Sequence, residues 1–372
     1  MSSRTDLLSD EQRLAWLRLI RSENIGPVTF RELINHFGSA SAAIAGVPEL
    51  ARKGGRGIRL CSVEAAEREL ARATTAGARF VALGEADYPA WLRTIDGAPP
   101  LIGVRGGSSC LLRPIIAVVG ARNASVAGRK FAAQIAVTLG EAGFAVASGL
   151  ARGIDAAAHA GALARGTIAV FAGGLDRPYP AENVALADAI VERGGNLISE
   201  MPMGWEPRAR DFPRRNRLIS GISAAVVVVE AALRSGSLIT ARLAGEQGRL
   251  VFAVPGSPLD PRAGGTNQLI RDGATIVTAI DDIIGEVRPM WTAPMPQVRS
   301  SIREDDGGAP ANDADDSDRA RIVEALATTP VEVDDIIRFT GLKPGIVRLV
   351  LLELDIAGRI EHHGGGRVSL TS

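Results

Sequence analysis

The chain has 372 residues, of which 46% are hydrophobic, 23% charged and 4% aromatic, and its formal net charge is zero. That length suggests two or three domains, and the composition is that of an ordinary soluble α/β protein, which excludes a chain dominated by disorder or a disulfide scaffold. Charge is unevenly placed: from Arg303 to Asp318 seven acids stand against one base, so the rest of the chain carries a net +6, a modest basic bias compatible with phosphate binding.

Only Lys53, Lys130 and Lys343 are lysines. Arginine abundance therefore carries no information, whereas arginine position does. Cys61 and Cys110 define neither a disulfide framework nor a metal spacing, and a reducing compartment is the simplest fit. No leader pattern and no run of about 20 apolar residues is present, so a cytoplasmic protein with no membrane span is expected.

Residues 1–80 read as short helices. Ser9 and Glu11 precede an apolar face made by Leu14, Trp16, Leu17, Leu19 and Ile20. Asn24-Ile25-Gly26-Pro27-Val28 then leads into a second amphipathic helix with Phe30, Leu33, Ile34 and Phe37, stopped by Gly38. An apolar-Gly-apolar turn between helices is the look of a SAM or helix-hairpin-helix domain, whose backbone N–H groups contact phosphates, and more often of a plain helical bundle.

Residues 81–288 alternate strands and helices. Strands are expected at 115–119, 144–148, 167–172, 196–199, 224–230, 250–254 and 275–278, which makes an α/β fold with an extended Rossmann-like, doubly wound, mostly parallel sheet. The run from Ala224 to Val229 is apolar without alternation, as a strand buried on both faces requires. Its C-terminal end lies where such sheets bind ligands. There Ser235-Gly236-Ser237 can turn N–H groups toward a phosphate, with Ser237 expected to cap the next helix. Arg214 and Arg217 stand at i and i+3 on the preceding helix, hence on one face.

Residues 289–317, with Pro289, Pro294 and Pro296, then glycines and aspartates, read as a flexible acidic linker. Residues 318–372 offer three helices and a β-hairpin around Gly364-Gly365-Gly366, the pattern of a winged helix. Its third helix carries Lys343 and Arg348 but also Glu353 and Asp355, a poor phosphate face. Protein contact and DNA contact are both open there.

No hydrolytic constellation emerges. Asp155 and His159 stand four apart on one helix and can hydrogen-bond, but no nucleophile is placed beside them. His36, His362 and His363 form no metal spacing with either cysteine, and no cofactor or metal is implied. Gly120-Ala121-Arg122-Asn123 is not a dinucleotide fingerprint, and the second strand ends in Ser148-Gly149 rather than in an acid, so NAD is disfavoured. What recurs is a Gly/Ser/Arg loop after a strand: at Gly120 to Arg122, at Ser148 to Gly153, and at Ser235 to Ser237, with Arg214, Arg215 and Arg217 from another connection. Several such loops along one edge suit a polyanion strand. Phe212, Trp205 and Phe252 are the aromatics near enough in sequence to stack bases.

The ordered set VGARNASVAG, SGLARGIDAAAHAGAL, AVFAGGLDRPYPAEN, SEMPMG, FPRRNRLISG, VVVVEA, SGSLITARLAGEQGR and VFAVPGS, over about Arg113 to Asp282, resembles the DNA-processing protein A family (DprA, also called Smf). The resemblance implies single-stranded DNA binding in a basic pocket, a homodimer through the Rossmann-like domain, and help in loading RecA recombinase in natural transformation or recombination, none of it catalytic. Carried over by motif, the implied DNA-binding residues are Arg122, Ser148, Gly149, Arg152, Arg214, Arg215, Asn216, Arg217, Ser235, Gly236, Ser237 and Thr240. One departure is visible: many members place a lysine just before the strand that begins here at Thr167, where this chain has Arg165-Gly166. Either Arg165 substitutes or one phosphate contact is missing. Loss of binding without unfolding is expected for Arg122→Glu and Arg217→Glu. The rival is a nucleotide phosphoribohydrolase of the lysine-decarboxylase-like group, which resembles the fold and carries PGGxGTxxE; here no glutamate follows Ser237 until Glu246.

Overall fold

The computed structural model describes residues 7–292 and 314–371, which form two compact units: 68–292, built on a large sheet, and 7–67 together with 314–371, mostly helical. Most of the expected linker, residues 293–313, lies outside the described residues.

The helical unit starts with α1 (Asp10–Ile20), α2 (Pro27–Phe37) and α3 (Ala40–Lys53). Ser9 caps α1 in a reciprocal box whose partner is Gln12 rather than Glu11: Ser9 Oγ accepts from Gln12 N at 3.1 Å and Gln12 Oε1 accepts from Ser9 N at 2.9 Å. Pro27 opens α2 and Gly38, at φ 82°, ends it. Helix α4 (Val63–Thr75) carries the chain into the sheet unit.

In the sheet unit the order is β1 (Ala78–Ala82), β2 (Leu101–Arg105), β3 (Ile115–Gly120), α5 (Val126–Glu141), β4 (Ala145–Ser148), α6 (Ile154–Ala162), β5 (Thr167–Val170), α7 (Val184–Glu192), β6 (Asn196–Ser199), α8 (Asp211–Gly221), β7 (Ala225–Val229), α9 (Gly236–Glu246), β8 (Leu250–Ala253), α10 (Gly264–Arg271), β9 (Thr275–Ile276) and α11 (Asp281–Thr292). Helix α11 continues through Pro289. The strands make one nine-stranded sheet in the order β1-β2-β6-β5-β4-β3-β7-β8-β9. From β6 to β9 it is parallel; β1 and β2 add an antiparallel edge that the sequence reading did not contain. Alternate residues of β3 (Ile116, Val118) and β7 (Ala225, Val227, Val229) share a core with Ile135 and Leu139 of α5, Ala158 of α6 and Ile283 and Val287 of α11. Helices α8 and α9 pack on each other, and α9 also packs on β7 and β8.

Strand order reverses between β3 and β7, so the connections leaving these neighbours diverge and open a crevice at their C-terminal ends. Because β3 to β8 are parallel, the loops after all of them meet on that same edge.

The winged helix comprises α12 (Asp316–Ala325), β10 (Val331–Glu332), α13 (Val333–Thr340), α14 (Pro344–Ile356), β11 (Ile360–His363) and β12 (Arg367–Leu370), the strands ordered β10-β12-β11. Within the helical unit it packs on α2 and α3. Asp355, 3.2 Å from His362 Nε2, holds the imidazole above its ordinary pKa against the opposing effect of burial, with Glu32 adding to the rise. A raised folded pKa means stability present below the unfolded value and lost as pH rises through the folded one. His36 has the opposite sign, since burial lowers it. The contribution of His362 is therefore read by difference: His362→Gln is expected to destabilise the unit by on the order of 1 kcal/mol at pH 6 and by much less at pH 8.5, measured by thermal unfolding of both proteins at both pH values. An equal loss at both would remove the ion pair from the account.

A candidate nucleic-acid interface on the strand-end edge

Gly120 closes β3 against β7: a Cβ there would lie 1.9 Å from the Val229 carbonyl oxygen, so only glycine lets the strands approach. Beyond it the backbone is already satisfied. Ala121 N donates to Glu230 O at 2.7 Å, and the Glu230 carboxylate accepts from Ser125 N at 2.8 Å and from Ser125 Oγ. The N-terminus of α5, capped by Ser125, thus holds a carboxylate of this chain where an external phosphate would sit. What the loop still offers is the exposed Arg122 side chain, which has no carboxylate partner among the described residues.

The loop after β4 is closed in the same way. Ser148 Oγ donates to Val118 O at 2.6 Å, and the amides of Gly149 and Ala151 donate to Asp155 Oδ2 at 3.0 and 3.3 Å. Asp155 is buried in the first turn of α6; burial pushes its carboxyl up, and Arg215 opposes that rise. Asp155 and His159 do not bond to each other as their spacing allowed. His159 Nδ1 lies 2.7 Å from Thr167 Oγ1, whose proton goes to Val146 O at 2.8 Å, so the imidazole donates. Burial lowers the His159 pKa to about 3, which keeps it neutral. Arg152 is exposed and paired with Glu182.

Helix α8 brings the arginine turn to the same edge, but most of it is committed inward. Arg215 is 6% exposed and donates to Gly149 O at 2.8 Å and to Val170 O, and burial lowers its pKa to about 10. Arg214 and Arg217 do share a face, as their spacing requires, and what they meet is the buried carboxylate of Glu200: Arg214 Nε at 3.0 Å, and Arg217 at closer range. Arg217 also donates to Gly97 O at 2.9 Å. Asn216 ties α8 to the start of α9 through Gly236 O at 3.2 Å.

At α9 the cap is Ser235, not Ser237: Ser235 Oγ accepts from Ser237 N at 3.4 Å and lies 2.7 Å from Ser237 Oγ. A residue flanking the helix with extended backbone can reach forward in this way, whereas Ser237 already lies inside the first turn, buried with Thr240. Gly236 is exposed and the first turn carries no acid. The N-termini of α5 and α6 are both plugged by carboxylates, whereas among the described residues no carboxylate bonds to that of α9.

Tertiary structure adds aromatics. Tyr179, from the loop after β5 and 51% exposed, packs on Phe212 with ring centroids 5.6 Å apart, and Arg122 Cζ lies 5.4 Å from the Phe212 centroid. Arg208 lies over Trp205 at 4.7 Å, and Trp205 is fixed by Nε1 donating to Asp211 at 2.9 Å. Phe252, expected as a stacking surface, is fully buried core. Tyr179 and Arg208 were missed because no spacing relates them to Arg122; strand order alone does. Arg165 stands just before β5, at the N-terminal end of that strand, and is paired with Glu141 at 2.7 Å. Among the described residues no cluster of His, Cys, Asp or Glu could hold a metal ion, and no helix is long and apolar enough to cross a membrane.

Comparison with known proteins places the fold. Residues 79–288 match the family described as DNA recombination-mediator protein A, residues 10–72 the DprA-like N-terminal HHH domain and residues 308–366 the DprA winged helix domain. Protein Smf of Escherichia coli is 39% identical over 76% of this chain and 75% of its own length, and DNA processing protein DprA of Bacillus subtilis is 41% identical over 59% and 75%. The X-ray structure of DprA from Streptococcus pneumoniae superposes with a TM-score of 0.60 at 33% identity, covering 75% of this chain and 99% of that one. A Helicobacter pylori DprA structure, described for its single-stranded DNA binding mode, gives 0.51 at 26% identity, covering 57% and 96%. With the sheet unit and both flanking domains matched, this chain belongs to the DprA (DNA recombination-mediator protein A) family.

Proposed function

We propose that the chain binds single-stranded DNA along the strand-end edge and serves DNA processing and recombination from the cytoplasm, helping to load RecA, as a homodimer through the sheet unit and without catalysis. The observation that carries this is Arg122, exposed over the Phe212–Tyr179 pair with no carboxylate partner among the described residues, on the loop that leaves the strand beside β7 and the helix N-terminus at α9. Phosphates are taken by Arg122, by the Ser235-Gly236-Ser237 turn, and by the exposed Arg208, Arg210 and Arg234. Bases stack on Phe212, Tyr179 and Trp205. Arg215, Asn216, Ser148 and Thr240 shape the edge from beneath, while Gly149, Arg152, Arg214 and Arg217 reach DNA only as part of pairs already made within the chain. The single-stranded binding mode described for the Helicobacter pylori relative supports this reading.

A phosphoribohydrolase reading finds no support in the placement of Glu246, which lies at the far end of α9, exposed and paired with Arg242. Fluorescence anisotropy with labelled oligothymidylate tests the binding, which should weaken steeply with salt. Phe212→Ala is expected to lower the affinity about tenfold or more, base stacking contributing about 1–3 kcal/mol, and to leave binding of an abasic strand nearly unchanged. Equal losses on both strands would mean that Phe212 only supports Arg122. Sedimentation at micromolar concentration tests the dimer.

A further inference from the structure

A winged helix that reads duplex DNA keeps one side of its third helix free to enter the major groove. Here the C-terminal part of that helix is covered on every side, while Pro344 and Arg348 in its first turns stay exposed. From Leu349 to Ala357 each residue is buried, Glu353 and Asp355 included, a stretch of about two and a half turns. A surface helix alternates buried and exposed positions, so a second body must complete the burial. It is the N-terminal helical hairpin of the same chain. Thr29 Oγ1 on α2 donates to Asp355 Oδ2 at 2.6 Å, and Arg359 Nη1 donates to Gly54 O at 3.3 Å. At Gly54, which ends α3, backbone meets backbone: a Cβ there would lie 2.1 Å from Glu353 O.

The turn between α1 and α2 is engaged as well. Asn24 Nδ2 donates to Ile356 O at 3.1 Å, and Ile25 is buried. The loop that a helix-hairpin-helix presents to phosphates thus sits on the end of α14. Charge agrees with this arrangement: residues 316–371 hold seven Lys and Arg against nine Asp and Glu, the reverse of a polyanion-binding surface.

We infer that the winged helix is an intramolecular docking module whose third helix receives the N-terminal helical hairpin of its own chain in place of duplex DNA. The two ends of the chain then form one cooperative body, and neither accessory domain contributes duplex affinity through its expected nucleic-acid face.

Full-length protein tests this by hydrogen exchange and by anisotropy on a labelled 20-base-pair duplex. Gly54→Val wedges the contact where the backbones touch; exchange in α2 and α14 is expected to rise together, by at least about tenfold, with the sheet unit unaltered and single-strand affinity unchanged. Thr29→Val, which keeps the side-chain shape and removes the bond to Asp355, should move both helices the same way by less, and serves if Gly54→Val does not fold. Lys343→Glu combined with Arg348→Glu is expected to leave duplex affinity within about twofold of wild type. Exchange that rises in α1 to α3 while α14 stays protected overturns the docking. A duplex affinity lowered tenfold or more by the charge reversals shows that α14 reads DNA.

Discussion

Arg122→Glu is expected to weaken single-stranded DNA binding by about 10- to 100-fold at moderate salt and to leave thermal unfolding unchanged. Reversal removes one phosphate contact and adds a repulsion, each on the order of 1 kcal/mol. The slope of log affinity against log salt should fall by about 0.7 for the lost single-strand phosphate. Folding is spared because the side chain is exposed and has no carboxylate partner among the described residues, and substitutions of that kind stay within about 0.5 kcal/mol. Anisotropy across a salt series, beside a melting curve, reads both. An unaltered affinity would dismiss the edge as the binding surface.

Arg217→Glu is expected to act on stability first. The sequence makes it the equal of Arg122, but its guanidinium is 19% exposed and lies on Glu200, itself 5% exposed. Removing one partner of a buried pair costs about 3–5 kcal/mol, and here a second carboxylate is brought against the first. Weaker DNA binding by this variant would therefore report a damaged sheet unit. The check is a rescue: Glu200→Gln in the Arg217→Glu background removes the clash of like charges and should restore part of the melting temperature. A variant that melts as wild type does and still loses DNA would return Arg217 to the list of phosphate contacts.

Truncation separates the accessory domains poorly for a related reason. Removing residues 318–372 strips the cover from α2 and α3, and removing 1–80 strips α14, so either shortened chain exposes an apolar face that was core. Point substitutions at Gly54 and Thr29 separate the functions more cleanly.

The parallel sheet was legible because each strand buried on both faces prints a short unbroken apolar run, as at Ala225 to Val229. The edge pair β1 and β2 was not: Arg79, Gly103 and Arg105 interrupt its short apolar runs, and β2 is fixed by antiparallel pairing to β6, distant in sequence. Capping shows the same limit on a smaller scale. Ser235 and Ser237 are equivalent as residue types, and only the turn into α9 decides which lies outside the helix.

By itself the sequence determined the doubly wound sheet, the family, and the edge on which its loops gather, since periodicity and motif order are local properties that survive in one dimension. Tertiary structure decided which arginines remain available. Guanidinium groups of the same kind differ here by what stands opposite them: Glu200 for Arg214 and Arg217, buried carbonyls for Arg215, Glu182 for Arg152, and an aromatic face for Arg122. Those partners come from other strands and loops, and a charge is neutralised by what lies within a few ångströms in space, whatever its distance along the chain.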